Sequence, residues 1–355
     1  CDFYSIAPKD IFWNDYARLL LKEFTMRRCE LAEPVRTVYF GGGTPSLMPL
    51  PCLTMVLHAL SDGEPVEEAT IEVNPDDITE SYAAGIRDAG FNRVSMGVQS
   101  FVNDELRFLR RRHDADGAER AVRLLQESGI YNISIDLIYG IPGQTAESWR
   151  QSIRRALSLG VPHISAYNLT YEEGTLLTLL REKGKIKEMD DAESVQLFDI
   201  LTEELHAGGF EQYEISNFAI PGMYSRHNSG YWAYTPYLGL GPSAHSFDGR
   251  TRRWNPGNFR DYVKSIETFG VAFKEEKASL SERYNEWVML RLRTKWGLDI
   301  EELYRLFGKQ YAEYALAVIS KYIKTADLEK RDGCICLTHK GVMVSDAIFR
   351  DLFIV

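Results

Sequence analysis

The sequence has too few cysteines for a disulfide framework. Its 355 residues hold five, Cys1, Cys29, Cys52, Cys334 and Cys336, an odd number and scattered. It also lacks any run of about 18 apolar residues, and no secretory signal opens it, so a cytoplasmic protein that is not integral to a membrane is expected. Positive charge is in deficit: 41 lysines and arginines face 51 acids, a net charge of −10, and the longest basic run is Arg110-Arg111-Arg112. No nucleic-acid partner is therefore expected. No internal repeat or low-complexity tract is visible. The first residue is Cys1 rather than methionine, and a preceding segment is expected. What remains, 45% hydrophobic and 26% charged residues, is an ordinary globular composition.

Short apolar runs at 37–40, 69–73, 93–98, 133–139 and 163–168 are rich in β-branched residues and bounded by glycine, proline or polar residues. They read as buried parallel strands. Helical patterns separate them. Behind the N-cap candidate Thr145 come Trp149, Ile153, Ala156 and Leu157, stopped by Gly160; Ala118, Ala121, Val122 and Leu125 repeat the pattern up to Gly129. The residues that end the runs, Gly41, Glu72, Gln99, Asp136 and Asn168, lie 31, 27, 37 and 32 positions apart, close to the length of one βα unit. The helical pattern at 9–28 calls for a strand before it, which would make a sixth unit. A barrel or partial barrel, which gathers these strand ends in one mouth, is expected over an open doubly wound sheet, which would gather fewer. Further on, an acidic helix is expected at 190–207. Residues 276–355 read as a compact helical module that ends in a strand pair and a helix.

Gly41-Gly42-Gly43-Thr44-Pro45 follows the first run and leaves backbone groups bare for a ligand. It matches neither a Walker loop nor GxGxxG, and a tight strand-to-helix turn is the alternative. Glu72, Gln99 and Asp136 end later runs, and Arg111 is placed in the loop where the fourth visible unit begins. An acid for an ammonium, an arginine for a carboxylate, and an amide plus an acid for vicinal hydroxyls suit a zwitterionic nucleoside such as S-adenosylmethionine. Buried polar caps on strand ends are the competing explanation. Cys334 and Cys336 form a CxC on one face of a strand, a poor zinc signal that reads as structural.

Cys1-Asp2-Phe3, the glycine string, Glu72-Val73-Asn74-Pro75, Ser95-Met96-Gly97-Val98-Gln99-Ser100 and Ile135-Asp136-Leu137-Ile138-Tyr139-Gly140 together resemble the radical S-adenosylmethionine family of oxygen-independent coproporphyrinogen oxidases, over nearly the whole chain. Two features resemble its haem-chaperone branch instead of the oxidases. Phe3 stands where the oxidases have a further cysteine, and Arg226-His227-Asn228-Ser229-Gly230-Tyr231-Trp232 contains HNxxYW, which the oxidases lack. The resemblance implies an α/β fold, a partial (β/α)6 TIM-like barrel of radical S-adenosylmethionine type with a small C-terminal winged-helix-like domain. The core would span 1–218, with its first strand upstream of Cys1; a connecting region would span 219–275, and the winged-helix-like domain 276–355.

The resemblance also implies a [4Fe-4S] cluster on a CxxxCxxC motif of which Cys1 is the third cysteine, the other two belonging to the expected upstream segment. Gly42, Gly43 and Thr44 would meet the methionyl end of S-adenosylmethionine, Glu72 its amino group and Arg111 its carboxylate. Gln99 and Asp136 would contact the ribose, and Thr170 the nucleoside. His227 would be an axial ligand for haem, with Tyr231 and Trp232 against the macrocycle; a histidine bonded to its own loop is the alternative, and His245 is a second candidate. The function implied is that of an iron–sulfur protein that binds haem or a porphyrin and hands haem to an acceptor protein. The alternative is an oxidase that reductively cleaves S-adenosylmethionine and uses the resulting radical to decarboxylate coproporphyrinogen III to protoporphyrinogen IX. Whether the chain performs catalysis stays open at this point.

Overall fold

A computed structural model of the chain describes residues 12–268 and 274–354; Cys1 lies outside the described residues. The chain divides into two compact units. One runs to Gln212 and takes in Ser216–Tyr224; the other comprises Tyr213–Ile215 and the residues from Ser225 onward.

Five parallel strands organise the first unit: β1 (Thr37–Phe40), β2 (Glu68–Val73), β3 (Arg93–Gln99), β4 (Ile133–Tyr139) and β5 (His163–Asn168), each paired with the next. Their order follows the chain without reversal. A doubly wound sheet reverses at a switch point, so the partial barrel is the architecture formed. Two further strands, β6 (Glu211–Glu214) and β7 (Asn217–Ala219), complete the sheet, with β7 antiparallel to β5. Ile71, Val94, Met96, Ile133, Ile135 and Ile164 are wholly buried, as strands covered on both faces require.

The crossover helices form where the sequence pattern expects them. Helix Ala146–Ser158 starts at a capping box between Thr145 and Ser148, and buries Trp149, Ile153 and Ala156 on one stripe. Gly160 at φ +67° lies just beyond its end. The Trp149 indole donates to the Leu197 carbonyl of helix Asp191–Ala207 at 2.9 Å. Less expected are the buried polar groups at the opening of the strands. Arg93 and Glu68 approach to 3.9 Å with almost no exposure, and Ser134 bonds His163 Nδ1 at 2.7 Å. Burial, and then the Arg93 charge, hold His163 well below the usual histidine pKa, so its ring is neutral.

The second unit begins its helical content with the short helix Arg226–Trp232. A three-stranded antiparallel sheet follows, β8 (His245–Phe247), β9 (Thr251–Trp254) and β10 (Lys274–Lys277). Helices Leu280–Leu292, Ile300–Phe307 and Lys309–Lys324 then pack on the hairpin β11 (Leu328–Arg331) and β12 (Cys334–Leu337), which Leu298 joins through a bridge to Ile335. Their common core includes Tyr284, Trp287, Leu303, Ile319, Ile348 and Phe349. Three helices with a β wing match the winged-helix-like reading of this segment. No helix among the described residues is long and apolar enough to cross a membrane.

Candidate functional site

The ends of β1–β4 and the loops beyond them enclose one cavity. Gly43, Thr44, Glu72, Gln99, Arg111 and Asp136 line it, joined by Asn74, Ser95 and Gly97. Six of the residues singled out in the sequence thus meet at one place, and Gly42 is tied to it through Glu72.

Glu72 is held from two sides: the Tyr39 hydroxyl donates to Oε1 at 2.8 Å, and the Gly42 N–H donates to Oε2 at 3.0 Å. Burial, then the Glu72 and Asp136 charges, push the Tyr39 hydroxyl far above its usual range, which keeps it a donor. The glycines have separate duties. A Cβ on Gly41 would lie 2.5 Å from the Tyr39 ring and 3.0 Å from Glu72 Oε1, whereas Gly42 and Gly43 adopt φ of +79° and +64°.

Arg111 belongs to the connection from β3 to β4, the third visible unit and not the start of the fourth. Two helices, Asn103–Phe108 and Ala115–Glu127, share that connection, and Arg111 stands in the turn between them. Its Nη2 donates to Asn74 Oδ1 at 2.8 Å and to the Gly97 carbonyl at 2.6 Å. Burial lowers its pKa, with Asp76 opposing and Arg112 assisting; the guanidinium stays charged. Gln99 sits where the β3–β4 register slips, since Gly97 faces Asp136 and Gln99 faces Leu137, and its φ is +72°. A Cβ on Gly97 would lie 2.8 Å from the Gln99 amide nitrogen and 3.3 Å from Arg111 Nη2, so glycine there lets both side chains fold over the strand.

Asp136 accepts from the Ser95 hydroxyl at 3.4 Å. Burial, followed by the Glu72 charge, pushes its pKa up to about 7. Two carboxyl groups and one guanidinium therefore face one cavity, a set that complements a cationic ligand carrying its own ammonium, carboxylate and hydroxyls.

Thr170 does not line this cavity; it is exposed in the segment after β5. His227 lies in the second unit. Helix Arg226–Trp232 is capped by the Ser225 hydroxyl, and His227 Nε2 meets the Tyr231 hydroxyl at 2.8 Å, with their rings edge to face at 5.0 Å. Tyr231 packs in turn on Tyr237 at 4.8 Å, and burial pushes its hydroxyl to about 12. Trp232 lies under the Arg293 guanidinium at 5.1 Å. His245 stacks on Trp254 at 6.0 Å, a packing arrangement within the β8–β9 pair. No cluster of three or more metal-binding side chains occurs among the described residues.

Tyr39, Asn74, Ser95 and Gly97 escaped the sequence reading. Asn74 stands two residues beyond Glu72, while Ser95 and Gly97 precede Gln99 by four and two, so strand alternation would have put them on the same face. A lone glycine inside a strand pattern is itself a bulge signal.

Residues 1–156 match the Radical SAM superfamily and residues 278–344 the HemN C-terminal domain. Heme chaperone HemW of Bacillus subtilis is 30% identical, over 98% of this chain and 94% of the relative. Heme chaperone HemW of Mycobacterium tuberculosis strain H37Rv is 34% identical over 99% and 90%. Among solved structures, the radical SAM enzyme coproporphyrinogen III oxidase (HemN) of Escherichia coli superposes with a TM-score of 0.81 at 22% identity, covering 96% of this chain and 83% of that one. At that identity the likeness carries the fold alone.

Proposed function

The chain belongs to the HemW family of radical S-adenosylmethionine proteins, and from that premise we propose that it binds haem and passes it to an acceptor protein. The observation that carries this reading is the HNxxYW helix, Arg226–Trp232, which presents an imidazole beside a half-exposed tyrosine. Neutral imidazole is a haem-iron ligand, and flat rings suit the macrocycle. We assign His227 as the iron ligand. Because Nε2 is engaged by the Tyr231 hydroxyl, ligation through that nitrogen requires the hydrogen bond to be released.

Superfamily membership implies a [4Fe-4S] cluster and S-adenosylmethionine, which together supply one-electron chemistry when bound. Cys1 is proposed as one cluster ligand. The cavity at β1–β4 suits S-adenosylmethionine in charge and in donor set. Glu72 would take the ammonium, Arg111 the carboxylate, Gln99 and Asp136 the ribose hydroxyls, and Gly42, Gly43 and Thr44 would border the methionyl end. Thr170, outside that cavity, is left with a role only at the far end of the nucleoside. A cytoplasmic setting, where scattered thiols stay reduced, is part of the same proposal.

Haem titration of the full-length, cluster-loaded protein tests this reading. The parent should saturate with a nitrogen-ligated Soret spectrum. Losing even an outer-shell partner of a metal ligand costs about 10–100-fold in affinity, so His227→Ala should weaken haem binding at least about tenfold and shift the band. Tyr231→Phe, which removes that hydrogen bond, should bind haem at least as tightly as the parent. An unchanged affinity and spectrum in His227→Ala would remove the axial assignment.

A further inference from the structure

The slip between β3 and β4 leaves Val98 with no opposite residue in the ladder. Its carbonyl is buried, and a buried carbonyl without a donor is costly. The donor comes from outside the sheet: His113 Nε2 lies 3.0 Å from the Val98 oxygen. A carbonyl can only accept, so the ring proton sits on Nε2. Nδ1, at 3.7 Å from Asp76 Oδ2, makes no hydrogen bond. Burial lowers the His113 pKa, in keeping with a neutral ring. Two residues earlier in the same turn, Arg111 grips the adjacent Gly97 carbonyl. Consecutive peptides of the bulge are thus held by two side chains of one turn, and the residue that follows them is Gln99, in the left-handed region at φ +72°. Such a conformation persists in a residue other than glycine only where its surroundings enforce it.

We propose that His113 is a positioning residue for Gln99: by holding the Val98 carbonyl it fixes the peptide that turns the Gln99 amide into the cavity. The proposal rests on the reading of that cavity as the S-adenosylmethionine site. His113 itself does not line the cavity, so its effect on the ligand passes through the backbone of β3. The Val98 peptide must hold its orientation for the Gln99 amide to lie over Gly97, next to the Arg111 guanidinium.

Two variants separate positioning from bulk. His113→Phe keeps the ring and removes the donor, whereas His113→Gln returns an amide donor near the Nε2 position. Each is compared with the parent, as full-length cluster-loaded protein, by hydrogen–deuterium exchange across residues 93–101 and by equilibrium dialysis with labelled S-adenosylmethionine. His113→Phe should raise exchange at the end of β3 and weaken binding about tenfold, and His113→Gln should recover both to within about threefold. If His113→Phe does not fold, His113→Asn, whose amide is too short to reach Val98, takes its place with the same expectation. Parent-like exchange and affinity in the donor-less variant would overturn the proposal, even if its melting temperature fell. A parent that binds no S-adenosylmethionine would instead overturn the cavity's assignment, and the exchange result would still decide whether His113 holds the bulge.

Discussion

Arg111→Met should weaken S-adenosylmethionine binding about 100-fold while leaving the protein folded. The substitution keeps an apolar stem but deletes the guanidinium that would pair with the ligand carboxylate, and it strips the Gly97 carbonyl of its donor. Two charge-assisted hydrogen bonds of about 1.5 kcal/mol each, at about 1.4 kcal/mol per decade, give that factor. Arg111→Lys should recover little of it. One guanidinium nitrogen already serves both Asn74 and Gly97, leaving the rest of the planar group for a ligand, and an ammonium cannot reproduce that fork. Equilibrium dialysis on cluster-loaded protein checks both variants. A dissociation constant within about threefold of the parent for Arg111→Met would remove Arg111 from the site.

Asp136→Asn should move stability and affinity in opposite directions. The Asp136 carboxyl has a pKa of about 7 in the fold, against an ordinary value of 3.8. Above about pH 7 it is ionised in both folded and unfolded chains, and the whole cost of a charge buried beside Glu72 falls on the fold. As the pH drops below 7 the folded chain keeps the proton while the unfolded chain has not yet bound it. The cost then shrinks by about 1.4 kcal/mol per pH unit and vanishes near pH 4. Asparagine carries no charge, so Asp136→Asn should melt higher than the parent at pH 8, and the gain should shrink to less than half by pH 5. S-adenosylmethionine should bind it more weakly, because an amide offers the ribose hydroxyls one acceptor oxygen in place of two. Melting curves at the two pH values provide the check. An equal shift at both would show that Asp136 titrates normally.

The parallel strands were legible in the sequence because each is a short β-branched run closed by a glycine or a polar residue, and their spacing set the βα period. The partial barrel is favoured over a doubly wound sheet because polar or glycine residues end five successive runs, and the unreversed strand order bears that out. Glu72 and Asp136 stood out as acids inside apolar strands. Arg111 was found but assigned to the wrong unit, because two short helices share one crossover and the unit count assumed one. Thr170 entered through the resemblance alone, with no local pattern behind it, and the cavity leaves it out. Gly97 and Ser95 belong to one of the strings that carry the resemblance, and alternation with Gln99 places them on the same face of the strand. The buried Arg93–Glu68 approach and the Ser134–His163 bond could not be read locally, because each joins neighbouring strands many residues apart. His227 and Tyr231, four apart on one helix, could have been paired from spacing alone.

Carrying haem, as proposed, and converting coproporphyrinogen III leave different products. The most direct measurement is anaerobic incubation of full-length, cluster-loaded protein with S-adenosylmethionine, a reductant, and equal amounts of haem and coproporphyrinogen III, followed by mass analysis of the free and protein-bound tetrapyrroles. Haem in the protein-bound fraction, with coproporphyrinogen III recovered intact, is the predicted result. Protoporphyrinogen IX among the products, with no haem retained on the protein, would contradict it.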